Sequence, residues 1–319
     1  MRGNQSTLNN FLLLGFSDLP GLEGLFFSVF LIVYLSVLSG NALIIIVTLV
    51  YQTLHSPMFL FLRNLSFLEI YYTSTVVPKM LENLLSEDKS ISFLSCAFQM
   101  NVFLITGAAE CVLLAAMAYD RYVAICHPLR YTIIMSNTVC SGLVASSWMA
   151  AIPMQVGQTV LVFTSSFCDS NEINDFFCDF PAVVKLVCGN TSINEHISQL
   201  QVVFLGLIPF ALISISYICI ASTILKMPSV EGRSKAFSTC SSHLIVVMSF
   251  YGCGMTVYLK PKTSHSFDTE KFLSLFYTVF TPLLNPLIYS LKNKEVKVAL
   301  RKLCLHIPLF KTPKFSWKV

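Results

Sequence analysis

The sequence predicts an all-α membrane protein, a seven-transmembrane helix bundle followed by a short amphipathic cytoplasmic helix. Two observations carry that prediction. Of the 319 residues, 55% are hydrophobic and only 12% charged, with a mean hydropathy of +0.69, about half the charged share of an ordinary soluble domain. Apolar runs also recur from residue 24 to residue 291 without a Pro-, Gly- or Ser-rich linker, so one membrane-embedded domain is expected rather than two soluble ones. The 21 basic and 17 acidic side chains are too few to coat a 35.6 kDa globule, and the apolar remainder of the surface calls for lipid. The net charge of +4 lacks the concentrated basic face that nucleic acid requires.

A helix needs about 20 mainly apolar residues to cross a bilayer, because every backbone amide must bond within the segment. Seven segments meet that length, near 24–50, 57–82, 92–123, 140–164, 196–226, 235–259 and 271–292. The second is the least apolar, since Arg63, Asn64 and Glu69 interrupt it. Residues 1–23 form an N-terminal segment, 24–292 the bundle, and 293–319 the amphipathic helix and tail. The apolar run 11–16 before Ser17 and Asp18 is too short for the core of a signal peptide, and an uncleaved N-terminus is expected.

Orientation follows from the cations. Threading the seven spans with the N-terminus outside puts 14 of the 21 Lys and Arg on the cytoplasmic side. Acidic residues lean outward, with Glu69 and Glu110 inside spans. The expected placement is therefore multi-pass at the plasma membrane, with the N-terminus extracellular and the C-terminus cytoplasmic. The sequons at Asn4 and Asn190 fall on the outer side, where glycosylation occurs. A third, at Asn64, lies inside a span and reads as a chance match.

Of the 11 cysteines, Cys96, Cys168, Cys178 and Cys188 fall on the outer side, an oxidising compartment. Four cysteines allow three pairings. The expected one joins Cys96 to Cys178, tying the long loop after span four to span three, and Cys168 to Cys188, closing a ring within the loop.

The chain reads MAYDRYVAICHPLRY at 117–131 and NPLIY at 285–289, which resembles the rhodopsin-like G-protein-coupled receptors. PMFLFLRNLSFLE at 57–69, PKML at 78–81, FFCD at 176–179, SY at 216–217 and KAFSTCSSHL at 235–244 narrow the resemblance to the odorant receptors. These motifs stand in family order across residues 40–300. The resemblance implies a small volatile ligand held within the bundle and a heterotrimeric G protein of the olfactory, cyclase-stimulating class, which raises cyclic AMP. It assigns coupling and activation to Asp120, Arg121, Tyr217, Lys235, Asn285, Pro286 and Tyr289. Pro286 also removes a backbone hydrogen bond and lets the seventh helix bend.

For the pocket, Phe103, Leu104, Gly107 and Ala108 share one face of the third helix by spacing. The resemblance adds Gln201, Leu205, Tyr251, Met255, Tyr258 and Thr278. Amine-binding relatives carry a carboxylate where this chain has Phe103, which disfavours a cationic amine. The family usually has Asp where this chain has Glu69. Related receptors use that position to hold an allosteric sodium ion, which makes Glu69, Glu110 and Asn285 candidate ligands. Beside this stands a plainer reading, in which the two carboxyls are protonated, hydrogen-bonded glue between helices.

No nucleophile elbow, zinc motif or phosphate-binding loop is present, so no enzyme is expected. A small secondary transporter is the competing reading, because it too would carry intramembrane carboxylates and Pro-interrupted helices. Transporters tend to show paired internal repeats, and none is legible here. After the seventh span, Val296, Leu300 and Leu303 form an apolar stripe among Lys294, Lys297, Arg301 and Lys302. That pattern suits a helix lying on anionic membrane lipids.

Overall fold

Twenty-eight residues from Glu23 to Val50, apolar on nearly every face, form helix α1, about 42 Å long at 1.5 Å per residue. Its outward side chains, including Leu25, Ile32 and Leu49, are more than half exposed, the reverse of a soluble helix and the pattern expected against lipid. The computed structural model describes residues 9–16, 21–168, 170–258, 271, 273–292 and 294–306. Among them five helices are long and apolar enough to cross a membrane: Glu23–Val50, Phe93–Cys126, Asn137–Phe163, Ser192–Lys226 and Val230–Gly254.

The remaining two expected spans are also helical. α2 (Pro57–Leu85) starts with Pro at its first position, where a missing N–H costs nothing. Its polar residues Ser66, Glu69 and Thr73 are buried among other helices, which explains how a segment of modest hydropathy sits in the bundle. α3 (Phe93–Cys126) is capped by Ser92, whose Oγ accepts from Ser95 N, and it packs on its neighbours along its length. Beyond the short α4 (Tyr131–Ile134) come α5 (Asn137–Phe163), α6 (Phe180–Val184) and α7 (Ser192–Gln201). α7 continues through a π turn at Val202–Leu207 into α8 (Ile208–Lys226), and α9 runs over Val230–Tyr258. The seventh span has a second π turn, Phe276–Phe280, leading into α10 (Thr281–Lys292).

α11 (Lys294–His306) follows. Val296 and Ala299 are buried, Leu300 and Leu303 half-buried, and Lys297, Arg301 and Lys302 exposed, which matches the expected stripe and adds Ala299 to it. The side chains of Lys294 and Cys304 lie outside the described residues.

One feature departs from an all-helical reading. β1 (Asn10–Leu13) lies between β2 (Ser90–Ser92), antiparallel with Phe11 opposite Ile91, and β3 (Glu172–Ile173), parallel with Leu13 beside Ile173. The six-residue apolar run is too short to span, but it alternates correctly for a strand: Phe11 and Leu13 are fully buried. Phe11 stands in an aromatic cluster with Phe93, Phe163 and Phe167, at centroid distances of 5.9, 6.4 and 5.3 Å. The N-terminal segment thereby becomes part of a cover over one end of the bundle. Arg121 marks the other end.

Candidate functional site

The cover is bonded to the helices beneath it. Cys96 at the start of α3 is joined to Cys178, and Cys168 to Cys188, with S–S distances of 2.03 and 2.24 Å. Gln99 strengthens the first attachment. Its Oε1 accepts from Cys178 N at 2.8 Å while its Nε2 donates to Thr75 O at 3.0 Å, so one buried amide links α2, α3 and the loop. Two buried carboxylates tie the loop to the seventh span. Asp179 Oδ2 accepts from the Tyr277 hydroxyl at 2.9 Å, and Asp175 Oδ2 from Ser274 Oγ at 3.4 Å. Burial, and then the nearby Asp179 charge, push Asp175 up to about 8. The Phe176 amide, Ser274 and Lys271 act in the opposite direction.

Under the cover lies a cavity of about 160 Å³ with mostly apolar walls. α3 contributes Phe103, Leu104, Thr106, Gly107, Ala108, Glu110 and Cys111, and α5 contributes Gln155 and Gln158. α7 and its π turn add Ser198, Gln201, Val202, Leu205, Gly206 and Leu207; α9 adds Phe250, Tyr251 and Gly254. Tyr72, Phe180 and Tyr277 complete the wall. Both π turns therefore border the cavity, in keeping with the frequent appearance of such turns at functional sites.

The expected pocket residues Phe103, Leu104, Gly107, Ala108, Gln201, Leu205 and Tyr251 all line this cavity. Thr278 does not. It is fully buried, and its hydroxyl donates to Ser274 O at 2.6 Å. The preceding residue, Tyr277, faces the cavity instead, because a π turn widens the helix and rotates each following side chain away from its α-helical direction. The side chains of Met255 and Tyr258 lie outside the described residues. Sequence reasoning missed Gln155 and Gln158. Two amides three residues apart in an apolar span were a usable signal, since they share a face and polar groups inside spans tend to face the bundle interior.

Glu69, Glu110 and Asn285 are each about 1% exposed. Asn285 Nδ2 donates to Glu69 Oε1, and Thr73 Oγ1 donates to the Glu69 carbonyl. Asn41 of α1 lies within reach of Glu69, and Glu69 and Glu110 are close enough to act on one another. Four buried oxygens here have no donor: Glu69 Oε2, Glu110 Oε1, Asn41 Oδ1 and Asn285 Oδ1. A set made only of carboxylate and amide oxygens suits a hard cation. No group of three or more His, Cys, Asp or Glu able to hold a metal occurs among the described residues.

At the far end, Arg121 donates to Asp120 Oδ2 through Nε at 3.1 Å and Nη2 at 2.5 Å. Asp120 Oδ1 accepts from the Tyr131 hydroxyl at 2.7 Å. Burial, then the Asp120 charge, push the Tyr131 phenol above its ordinary range, so it stays a donor. Tyr217 of α8 stacks on His243 of α9, with ring centroids 5.8 Å apart, and its hydroxyl lies 2.7 Å from His243 Nδ1. The sequence had marked Tyr217 but gave His243 and Tyr131 no part. Pro286 lies inside α10. The side chains of Lys235 and Tyr289 lie outside the described residues, as does Asn4. Asn190 is exposed, whereas Asn64 donates to Leu60 O within α2.

A profile of the olfactory receptor family matches residues 30–306. The human protein named Olfactory receptor 10A5 is 52% identical over 301 residues, covering 94% of this chain and 95% of its own length. Olfactory receptor 10C1, also human, is 52% identical over 302 residues, 95% of this chain and 97% of its own. The mouse protein Olfactory receptor 2C1 is 46% identical over 300 residues, 94% and 96%. Full-length identity near one half, together with a multi-pass helical bundle, leaves no place for the transporter reading: the chain belongs to the olfactory receptor family of G-protein-coupled receptors, and it is not an enzyme.

Proposed function

We propose that the cavity beneath the cover receives a small, mostly apolar odorant, and that the Asp120–Arg121 end passes the signal to a heterotrimeric G protein of the cyclase-stimulating class. The cover faces outside in this reading, the C-terminus is cytoplasmic, and the membrane is the plasma membrane. The observation that carries it is the shape of the cavity. Its walls come from α3, α5, α7, α9 and the seventh span together, so a ligand filling it touches all of these segments at once.

Burial supplies the affinity, at about 25 cal/mol per Å² of apolar surface. Tyr251 supplies a route inward. Its hydroxyl donates to Cys111 O on α3 at 3.3 Å, and its ring packs on Phe210 of α8 at 5.0 Å, so a ligand that displaces it loosens α9 from its neighbours. Farther down α9 is His243, paired with Tyr217. Movement there opens the region where Arg121, held on Asp120, would be released to a G protein. Lys235, Asn285, Pro286 and Tyr289 belong to the same switch by family position.

The four donorless oxygens support a sodium site between α1, α2, α3 and α10. When bound, the ion supplies a positive charge that offsets two buried carboxylates. Glu69, Glu110 and Asn285 would hold it, with the Asn41 amide oxygen beside them. Asn4 and Asn190 are the proposed glycosylation sites. The test of the signalling reading is an odorant panel scored by cyclic AMP in cells carrying the olfactory G protein, with Arg121→Ala as control. Loss of response with surface staining retained is expected. An undiminished response in that variant would remove the assignment.

A further inference from the structure

α5 gives the cavity two neutral amides. Gln155 and Gln158 both line it and are 5% and 3% exposed; residues three apart share a helix face. The backbone that carries them is braced from two other helices. Asn101 of α3 donates through Nδ2 to Gln155 O at 3.3 Å and to Thr159 Oγ1 at 3.0 Å, and Thr159 Oγ1 donates to Gln155 O at 2.9 Å. From α7, Gln201 Nε2 donates to Met154 O at 2.9 Å. This part of α5 is therefore fixed before a ligand arrives.

One atom in this frame is unmatched. Gln155 Oε1 is buried with no donor, whereas buried polar atoms ordinarily have a partner. The hydroxyls of Tyr251, Thr106 and Tyr277, which line the same cavity, are engaged with Cys111 O, Val102 O and Asp179 Oδ2. Glu110 belongs to the proposed ion site and takes no part here. The terminal torsion of a glutamine is broad, so the amide can turn toward the cavity without moving the helix. The missing partner is a donor, and the cavity is where it can arrive.

Size and shape narrow the ligand further. An apolar protein cavity of about 150 Å³ holds a benzene ring, and this one measures about 160 Å³. Phe103 meets Tyr72 edge-on in its wall, with centroids 6.1 Å apart at 84°, and Phe250 meets Tyr251 at 5.4 Å and 81°. Such edges and faces accept one more ring in offset or edge-on contact.

We propose that Gln155 is the residue that selects the ligand, and that the class it selects is a neutral single-ring molecule bearing a hydroxyl donor, an aromatic alcohol being the simplest case. This rests on the cavity being the ligand site. The donor is neutral because mostly apolar walls would strip water from a full charge and an amide returns none to offset it.

The experiment uses the detergent-solubilised full-length receptor, with affinity read from the concentration dependence of the thermal unfolding midpoint. The probes are benzyl alcohol, toluene and anisole, an isomer of benzyl alcohol that has no donor. In the parent, benzyl alcohol should bind within about tenfold of toluene, since a hydroxyl stripped of water and left unmatched would lose more than that. A larger deficit would overturn the proposal, and this comparison needs no variant to fold. Gln155→Met keeps the length of the side chain and removes the amide. It should weaken benzyl alcohol by about tenfold and change toluene and anisole by less than about twofold; comparing each probe between parent and variant cancels differences in hydration. Benzyl alcohol affinity unchanged by Gln155→Met would overturn the proposal, and so would equal losses for all three probes. Gly107→Leu separates the two levels. A Cβ at Gly107 meets nothing within 4 Å, so the added side chain enters the cavity, and binding of all three probes should be lost. Undiminished binding in Gly107→Leu would reject the cavity as the ligand site, whereas binding lost there but indifferent to Gln155→Met would reject Gln155 alone.

Discussion

Tyr277 faces the cavity with its ring and, through its hydroxyl, holds Asp179 of the covering loop at 2.9 Å. One side chain thus joins the ligand chamber, the seventh span and the cover, and the loop cannot lift without releasing that hydrogen bond. Tyr277→Phe keeps the ring and removes the bond. Asp179 then loses a donor in a buried setting, at a cost of about 1–3 kcal/mol. A lower unfolding midpoint and a severalfold weaker agonist response are expected. Cyclic AMP dose–response curves beside thermal unfolding check this, and unchanged values in both would mean that the bond does not fasten the cover.

Asp175 makes the cover sensitive to pH. Burial raises its folded-state value to about 8, against an ordinary value near 3.9 when unfolded. Between those two values the folded chain retains a proton that the unfolded chain has lost, so stability falls as pH rises from about 4 to about 8 and levels off above. Asp175→Asn removes the titration. Unfolding midpoints measured at pH 5, 6.5 and 8 should decline in the parent more steeply than in the variant, and parallel curves would contradict this role.

Asp120 is held from two sides, by Arg121 on Oδ2 and by Tyr131 on Oδ1. Tyr131→Phe should loosen the carboxylate and free Arg121 more often. A rise of about twofold to tenfold in agonist-independent cyclic AMP is expected, since the lost hydrogen bond to a charged group is worth about 1.5–3 kcal/mol at most. The measurement is basal signalling normalised to surface receptor, and no rise would remove Tyr131 from the restraint.

Gly40 permits α1 to approach α10. A Cβ there would lie 3.0 Å from Pro286 Cβ and 3.1 Å from its Cγ, and the adjacent Asn41 donates to Pro282 O at 3.4 Å. Gly40→Val should force the helices apart at a cost of about 1–3 kcal/mol and reduce the surface level. Gly142→Ala, where the added Cβ meets nothing within 4 Å, is the control and should leave that level unchanged. Surface immunostaining of the two variants decides the matter.

Much of the bundle is legible from local composition alone. An apolar run of sufficient length must be helical in lipid because its amides have no other partner, and this placed the spans to within a few residues. Motif spacing likewise placed Phe103, Leu104, Gly107 and Ala108 on one face, and all four line the cavity. Local signals failed where a partner comes from far along the chain. The segment Asn10–Leu13 became a strand because residues 90–92 and 172–173 supply its neighbours, and Tyr131 and His243 gained their parts from Asp120 and Tyr217 on other elements.

Hydropathy and charge, which each segment carries regardless of its neighbours, were enough to determine a multi-pass helical membrane protein and, with its motifs, its family. Only the tertiary structure decided that Tyr277 rather than Thr278 faces the cavity, that the N-terminal run helps to cover it, and that Glu110 and Gln155 enter it without donors. The physical reason is that a helix's turn geometry, a strand's pairing and the satisfaction of a buried oxygen are set by atoms on other segments, and no window of sequence contains them.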